Sequence, residues 1–123
     1  MTDYLENASR MNEVCGVPVL ADCATGFGGN LNVAYLVHRY EAAGIGGVCI
    51  EDKIFPKRNS FIPGQSLEDA DSFARKIEIA KGAQRGDDFV VVARTEAAIA
   101  GFGVDEAVRR CHTDMSMPAP TRY

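Results

Sequence analysis

The stretch GVCIEDKIFPKRNS, residues 47–60, changes character abruptly after its fourth residue. The apolar run Gly47–Ile50 is followed at once by the three charged residues Glu51–Lys53. The ten residues 51–60 carry five charges, one proline and an Asn-Ser pair. An ordinary connecting loop needs no such concentration of charge. The stretch therefore predicts a buried strand whose end delivers a carboxylate, with lysine and amide donors on the loop beyond it.

Two further apolar runs flank this strand, VPVLA at residues 17–21 and FVVVA at residues 89–93. Strands that are apolar almost throughout are typical of parallel sheets covered on both faces. Between the runs, apolar residues recur at helical spacing, as Val33, Leu36, Val37, Tyr40 and Ala43 and then as Ala70, Phe73, Ala74, Ile77 and Ala80. The order strand-helix, repeated three times, predicts an α/β fold of three right-handed βα units. Such units occur in an open sheet and also as part of a (β/α)₈ TIM barrel.

Capping residues predict where the helices begin and end. Asn30 is expected to cap the helix after the first strand, and Gly44 to end it. Ser66, with an acid three residues later, predicts the start of the next helix in a sequence close to a capping box. A short helix is expected over residues 4–14, and a last one from about Val104.

Each apolar run ends in an ionisable residue, Asp22 after the first, Glu51 after the second and Arg94 after the third. Because the carboxyl ends of adjacent parallel strands line the site in α/β folds, we expect these three side chains to converge. The alternative is that a chain leaving a core simply meets water and becomes polar. That alternative explains any one strand, but two acids and an arginine in succession favour a site.

The chemistry of this trio is that of an anion held beside a hard metal ion. Two carboxylates favour Mg²⁺ or Mn²⁺ over softer metals, and Arg94 offers a forked partner for a carboxylate or phosphate. Lys57 and Asn59 add a charge and an amide donor on a loop long enough to act as a lid. The turn 26–29 could present backbone N–H groups to an anion, although a tight strand-to-helix turn requires the same glycines.

Composition narrows the class of partner. The 123 residues carry a net charge of -4 with a pI of about 5.1, which argues against nucleic acid as a partner. No apolar run is long enough to span a membrane, and the start lacks the basic and apolar regions of a secretory signal. The four cysteines, at positions 15, 23, 49 and 111, are expected to be buried, reduced thiols of a cytoplasmic protein.

The motif E-D-K, five residues, N-S at residues 51–60 resembles the signature of the phosphoenolpyruvate mutases of the isocitrate lyase superfamily. The stretches VPVLADCATGFGGNLNV, EAAGIGGVCIEDK, KIEIAKGAQ and VVVARTEAAIAGFGVDEAVRR look like the same family, in the same order. The resemblance covers roughly residues 5–110 and is shared with the phosphonopyruvate hydrolases. It implies a (β/α)₈ barrel, of which about three units would lie in this chain.

The resemblance also implies roles for the candidate residues. Asp22 is similar to the direct Mg²⁺ ligand of the family, and Glu51 to the acid that holds the metal's waters. Arg94 resembles the arginine that binds the phosphoryl group. The remaining candidates, Lys57, Asn59 and Ser60, would lie on a gating loop. Lys57 and Asn59, together with Arg94, would be catalytic, and Asn59, Ser60 and Arg94 would contact the substrate.

The implied reaction is the interconversion of phosphoenolpyruvate and phosphonopyruvate, an isomerisation that makes a carbon–phosphorus bond for phosphonate biosynthesis. Intact relatives would be homo-oligomers. The alternatives are a phosphonopyruvate hydrolase or carbon–carbon lyase of the same superfamily, and a non-catalytic pseudogene fragment.

Three departures from the family accompany the resemblance. Ala24 stands where the family's Asp-x-Asp has its second carboxylate. The chain is much shorter than the about 250 residues of a complete barrel, so residues 1–112 are expected to form a partial barrel domain with little activity of its own. Residues 113–123 form an aberrant tail: a one-base shift in one possible coding of the family's Asp-Ala-Gly-Ala-Asp-Ala-Ile reads Met117–Tyr123. We hypothesise that a frameshift produced this tail. The hypothesis is wrong if the genomic DNA downstream contains no reading frame that encodes the rest of the barrel.

Overall fold

The computed structural model describes residues 1–116, with side-chain surroundings as far as Thr113. Helices and strands alternate along the chain in the expected order. The elements are α1 (Thr2–Val14), β1 (Leu20–Asp22), α2 (Asn30–Ala42), β2 (Gly47–Glu51), α3 (Ala70–Gly82), β3 (Val90–Arg94) and α4 (Gly103–Ser116).

The three strands form one parallel sheet in the order β1-β2-β3, so that β2 lies in the middle. Asp22 pairs with Cys49, and Glu51 pairs with Arg94, which brings the ends of the strands to one edge of the sheet. Parallel neighbours joined through helices are what the alternation of apolar runs and helical stripes predicts. The predicted α/β class is confirmed.

One face of the sheet packs against α2 and α3 and carries the core. Val48 and Ile50 of β2 are fully buried there, together with the helix residues Leu36, Tyr40 and Phe73. Side chains of this size each contribute about 1.5–3 kcal/mol when they leave water. This layer fixes β2, and β2 carries the residues that begin the site.

The opposite face of the sheet is open. Leu20, Gly47 and Val90 lie side by side across the three strands, and the side chains of Leu20 and Val90 are 55% and 50% exposed. Successive side chains of a strand alternate between faces, so Asp22, Cys49 and Glu51 rise from this open face. Within the described residues, no helix is long and apolar enough to cross a lipid bilayer.

Two predicted helix caps are wrong by a few residues. Gly29 is the N-cap of α2, and Asn30 is already the first helical residue. The N-cap of α3 is Asp69, whose carboxylate accepts a hydrogen bond from the Ser72 N–H, and not Ser66. An aspartate oxygen caps as well as a serine hydroxyl does. The residues before Asp69 remain with the loop, where the Ser66 carbonyl accepts a hydrogen bond from Ile54 N–H.

The boundaries of the outer strands and of the last helix also differ from the expectation. β1 begins at Leu20 and not at Val17, which is 70% exposed, because Pro18 has no N–H to give to a ladder. Gly44, with φ of 76°, ends α2 as predicted, just after the C-cap Ala43. α4 begins at Gly103 and continues to Ser116, so residues 113–116 of the expected tail are helical. The frameshift hypothesis concerns Met117–Tyr123, which lie outside the described residues.

All four cysteines are free thiols, but they are not all buried. Cys23 is fully buried and Cys49 is half-buried, whereas Cys15, just after α1, and Cys111, within α4, are exposed. The expectation of buried thiols is therefore wrong for Cys15 and Cys111. Neither of these two side chains packs into the core.

Burial of Cys23 predicts a loss of stability in alkali. Burial raises the pKa of its thiol from 9.0 to about 12, and burial also raises the pKa of the Tyr40 phenol. The unfolded chain loses the thiol proton near pH 9 while the folded chain keeps it, so the free energy of unfolding should fall between pH 9 and 12 by up to about 1.4 kcal/mol per pH unit. Urea titrations at several pH values in this range measure the free energy of unfolding. Plotted against pH, it should fall less steeply for Cys23→Ala than for the wild type. Cys111→Ala, which changes an exposed thiol, should leave the slope as it is, and equal slopes for the two variants would contradict the prediction.

Candidate active site

The ends of the three strands bring Asp22, Glu51 and Arg94 together, as the sequence predicts. Nη1 of Arg94 lies 3.7 Å from Oε2 of Glu51 and 3.9 Å from Oδ2 of Asp22. The parallel register explains this convergence, because Glu51 and Arg94 are direct neighbours and Asp22 ends the adjacent strand. The three side chains thus form one cluster at the carboxyl edge of the sheet.

Glu51 is a buried acid with one oxygen that lacks a hydrogen bond. Its side chain is 2% exposed, and its N–H donates to the Ala24 carbonyl at 2.7 Å. Oε1 has no hydrogen-bond partner among the described residues, and the nearest cation is Nζ of Lys57 at 3.3 Å. A buried carboxylate oxygen without a hydrogen bond is costly unless a further group satisfies it.

Asp22 lies at the mouth of the cluster. Its side chain is 62% exposed, and Oδ1 accepts a hydrogen bond from the Ala24 N–H at 2.9 Å. That bond fixes the orientation of the carboxylate and leaves Oδ2 directed at Arg94. Asp22 therefore combines a set geometry with access to a ligand.

The backbone at Ala24 links the two acids. Its N–H holds Asp22, and its carbonyl accepts from Glu51. Ala24 has φ of 52°, a left-handed conformation that costs alanine about 1–2 kcal/mol and that Asn and Asp tolerate better. Gly26, two residues on, has φ of 85°, and a Cβ there would lie 2.5 Å from Cγ2 of Val33. The glycine in this turn is thus required by packing, which is the simpler explanation of the glycine-rich turn.

Arg94 is shared by three carboxylates. Besides Asp22 and Glu51, its Nη2 makes a very close ion pair with Oε1 of Glu96. Burial works against the guanidinium charge, but the attraction of Glu96, Glu51 and Asp22 raises the pKa of Arg94. The Arg94 side chain is 41% exposed, so it remains accessible to an anion from solvent.

The loop 54–65 brings some of its candidates into the cluster and leaves others outside. Lys57 reaches the Glu51 carboxylate, and Ser60 Oγ lies 3.3 Å from Oε2 of Glu96. Asn59 is exposed, and its amide oxygen accepts from the Phe61 N–H at 2.9 Å. The structure therefore places Lys57 and Ser60 at the site, while the described contacts of Asn59 are with its own loop.

Sequence reasoning missed three buried charged residues that complete the cluster. Glu96 and Lys53 are each 1% exposed, and Asp52 is fully buried. Oδ1 of Asp52 accepts from the Glu96 N–H at 2.8 Å, and Oδ2 accepts from Thr95 Oγ1 at 2.7 Å. The signal for Glu96 was its position two residues after Arg94, since residues at that spacing continue along the same side of an extended chain.

The donors present fit a hard divalent ion held in part by water. Among residues 1–116, no three His, Cys, Asp or Glu side chains are grouped so that they could hold a metal ion by themselves. Mg²⁺, however, usually keeps several waters and needs only one or two protein carboxylates. Oε1 of Glu51, which has no hydrogen bond and only the Lys57 ammonium beside it, and the accessible Oδ2 of Asp22 meet that requirement, and Ala24 contributes no third carboxylate.

Comparison with known proteins agrees with this geometry. A family model described as phosphoenolpyruvate phosphomutase matches residues 1–114. The phosphoenolpyruvate phosphomutase of Tetrahymena pyriformis is 45% identical over 111 residues, which are 89% of this chain and 37% of the relative. An isocitrate lyase of Haloferax volcanii and a 2,3-dimethylmalate lyase of Eubacterium barkeri are also among the relatives.

Solved structures give the same result for the fold. The crystal structure of phosphoenolpyruvate phosphomutase from Streptomyces platensis subsp. rosaceus matches with a TM-score of 0.91 and 54% identity, over 94% of this chain and 40% of that one. A phosphonopyruvate hydrolase in complex with oxalate and Mg²⁺ matches with a TM-score of 0.84 and 42% identity, over 94% and 39%. The chain spans about 40% of the length of these relatives, so its three βα units are part of a (β/α)₈ barrel. The chain belongs to the phosphoenolpyruvate phosphomutase family, a family of enzymes.

Proposed function

We propose that the whole protein to which these three βα units belong interconverts phosphoenolpyruvate and phosphonopyruvate. In the forward direction the bond between phosphorus and the enol oxygen breaks and a bond between phosphorus and C3 forms, with no net change of protons or electrons. The observation that carries the proposal is the convergence of Asp22, Glu51 and Arg94 at the carboxyl edge of the sheet. The support from relatives is the match to mutases of 45% and 54% identity.

In this proposal the cationic side chains bind the anionic substrate. The half-exposed side chain of Arg94 carries a charge that neighbouring carboxylates stabilise, and a planar fork of donors suits a phosphoryl group. Lys57, 40% exposed, adds a second positive charge from the loop. Phosphoryl transfer is catalysed mainly by positioning and charge neutralisation, which these two residues supply.

Asp22 and Glu51 are the proposed holders of Mg²⁺ or Mn²⁺. When bound, such an ion would stabilise the enolate oxygen of pyruvate as a Lewis acid. Each carboxylate keeps one oxygen without a hydrogen bond within the described contacts, which supports this assignment, as does the Mg²⁺ found with oxalate in the related hydrolase. The choice between the two ions belongs to the proposal.

The loop 54–65 is the proposed lid. Lys57 and Ser60 already touch the cluster, and Asn59 would have to turn inward to contact a phosphoryl group. A closed loop keeps water from the transferring phosphoryl group, which is what separates isomerisation from hydrolysis. Cytoplasmic location is a prediction from the cysteines and the start of the sequence, and homo-oligomeric assembly is a prediction from the resemblance.

The test is a ³¹P NMR assay with Mg²⁺, started from phosphonopyruvate. A mutase converts the phosphonate signal into that of a phosphate ester, whereas a hydrolase gives inorganic phosphate and pyruvate. The hydrolase is the second candidate, because a phosphonopyruvate hydrolase is 45% identical over 112 residues. Phosphate ester as the main product is expected, and inorganic phosphate as the sole product would overturn the mutase assignment. The 123-residue chain alone should show little turnover, since its open sheet face leaves the substrate in contact with water.

Ala24→Asp should raise the affinity of the chain for Mn²⁺ about tenfold, because it adds a carboxylate between Asp22 and Glu51. Ala24→Asn is the matched control, since it accepts the same left-handed backbone without adding charge. Both variants should stabilise the fold by up to about 1 kcal/mol, and only the aspartate should change metal binding. Titration with Mn²⁺ by electron paramagnetic resonance measures the difference. Equal affinities for the two variants would show that this position does not face the ion.

A further inference from the structure

Lys53 and Glu96 form a buried ion pair behind the site. Each side chain is no more than 2% exposed, and Nζ of Lys53 lies 3.5 Å from Oε2 of Glu96. Neither residue was expected from the strand ends. A buried pair of this kind is costly unless every donor finds an acceptor, so the other partners of the lysine are informative.

Two of the three acceptors around Lys53 belong to the lid. Its ammonium donates to Ser60 Oγ at 2.5 Å and to the Arg58 carbonyl at 3.3 Å. An ammonium group has three N–H donors, and Glu96 accounts for the third. If the loop moved away, two donors of a buried charge would lose their protein partners.

Glu96 connects this anchor to the anion-binding arginine. One of its oxygens pairs with Arg94, and the other lies near both Lys53 and Ser60. Its backbone is fixed by the hydrogen bond from its N–H to the buried Asp52. A single rigid carboxylate therefore contacts the strand end and the lid together.

We propose that Glu96, acting with Lys53, is a positioning residue that anchors the lid at Ser60 and so sets the place of the lid beside Arg94. The cause is the demand of the buried lysine for acceptors that only the loop supplies. The inference extends the proposed function by naming the contact that sets the lid. The anchor itself requires no substrate, so it can fail or succeed independently of the proposed reaction.

Limited trypsin digestion of the full 123-residue chain measures the anchor directly. Lys57 and Arg58 are exposed on the lid, and Arg85 is exposed on the loop before β3. The ratio of the cleavage rate after Arg58 to that after Arg85, followed by mass spectrometry, reports lid release. General unfolding raises both rates and leaves the ratio near its starting value.

Ser60→Ala should raise this ratio about three- to tenfold, the factor that corresponds to the net contribution of one typical hydrogen bond. Ser60→Thr keeps the hydroxyl and should restore the wild-type ratio. The matched control is Ser66→Ala, which truncates an exposed serine of the same segment. A ratio for Ser60→Ala equal to that of Ser66→Ala, or no restoration by threonine, overturns the proposal.

Glu96→Gln tests the role of the carboxylate. It should raise the ratio as Ser60→Ala does, and the double variant should rise no further than the larger single effect, because both changes remove the same link. Independent effects that multiply would show that Ser60 is not anchored through Glu96 and would also overturn the proposal. If trypsin also cleaves the Glu96→Gln variant rapidly after Arg85, Lys53→Met is combined with Ser60→Ala in its place. A double variant that rises no further than the larger single effect supports the proposal, and effects that multiply overturn it.

Discussion

Asp52→Asn is expected to lower the free energy of unfolding by about 3 kcal/mol, because a buried charge partner is lost from a connected network. The side chain of Asp52 is completely buried, and it binds Thr95 and Glu96 at the end of β3. Its Oδ2 also lies 3.3 Å from Nη1 of Arg110 on α4. Urea denaturation measures the change as a lower midpoint at an unchanged slope.

The size of this effect follows from what the asparagine would leave behind. Arg110 is only 10% exposed at its side chain, and an amide offers it no negative charge. Of the remaining partners of Arg110, the Glu68 carbonyl ties α4 to the segment just before α3, whereas Glu106 lies on α4 itself. Loss of Asp52 should therefore loosen α4 before it disturbs the sheet.

The matched control is Asp88→Asn, which changes an exposed aspartate on the loop before β3. It should alter the free energy of unfolding by less than about 0.5 kcal/mol. An Asp52→Asn chain as stable as this control would mean that the network adds nothing to stability.

Asp22→Asn should weaken Mn²⁺ binding by at least about 100-fold, more than the roughly 10- to 100-fold typical for loss of an outer partner of a metal ligand. The reason is that Asp22 is the more accessible of the two carboxylates, with its second oxygen free of hydrogen bonds within the described contacts. Stability should change little, since the side chain is 62% exposed. Electron paramagnetic resonance titration reports the free Mn²⁺ directly.

Asp88→Asn again serves as the control, because it also removes one exposed carboxylate and changes the net charge by the same amount. An Mn²⁺ affinity of Asp22→Asn equal to that of the wild type would show that Asp22 does not bind the ion. Weaker binding together with a lower unfolding midpoint would mean that the asparagine disturbs the turn at Ala24 and not only the ligand.

The sequence predicts the main features of the site because the apolar runs mark the strands and the apolar residues at helical spacing mark the helices between them. Parallel strands end at one edge, so the residues that close the apolar runs must meet there. Asp22, Glu51 and Arg94 can be placed together on this basis alone, and their distances agree. The resemblance to the mutases supplies the family, and the comparisons confirm it.

The features that could not be predicted depend on contacts between distant segments. The resemblance predicts that Asn59 contacts the substrate, yet its amide oxygen accepts a hydrogen bond from the Phe61 N–H, because a local Asx turn competes with any contact across the site. The importance of Lys53 and Glu96 depends on two remote segments of the chain folding so that the two charges meet. A helix cap at Asp69 and one at Ser66 look equally good in the sequence, and only the path of the preceding loop separates them.

Glu51, Asp52 and Lys53 are consecutive, and all three are at most 2% exposed. Each faces a different destination: Glu51 contacts the strand-end cluster, Asp52 binds β3 and α4, and Lys53 holds the loop. Neighbouring side chains of an extended chain point in opposite directions. Inserting or deleting a single residue in β2 would therefore turn each of these three side chains to the opposite side, where each charge would be buried without its present partners. A change in the length of this segment should thus destabilise the fold more than the replacement of any one of its three charges.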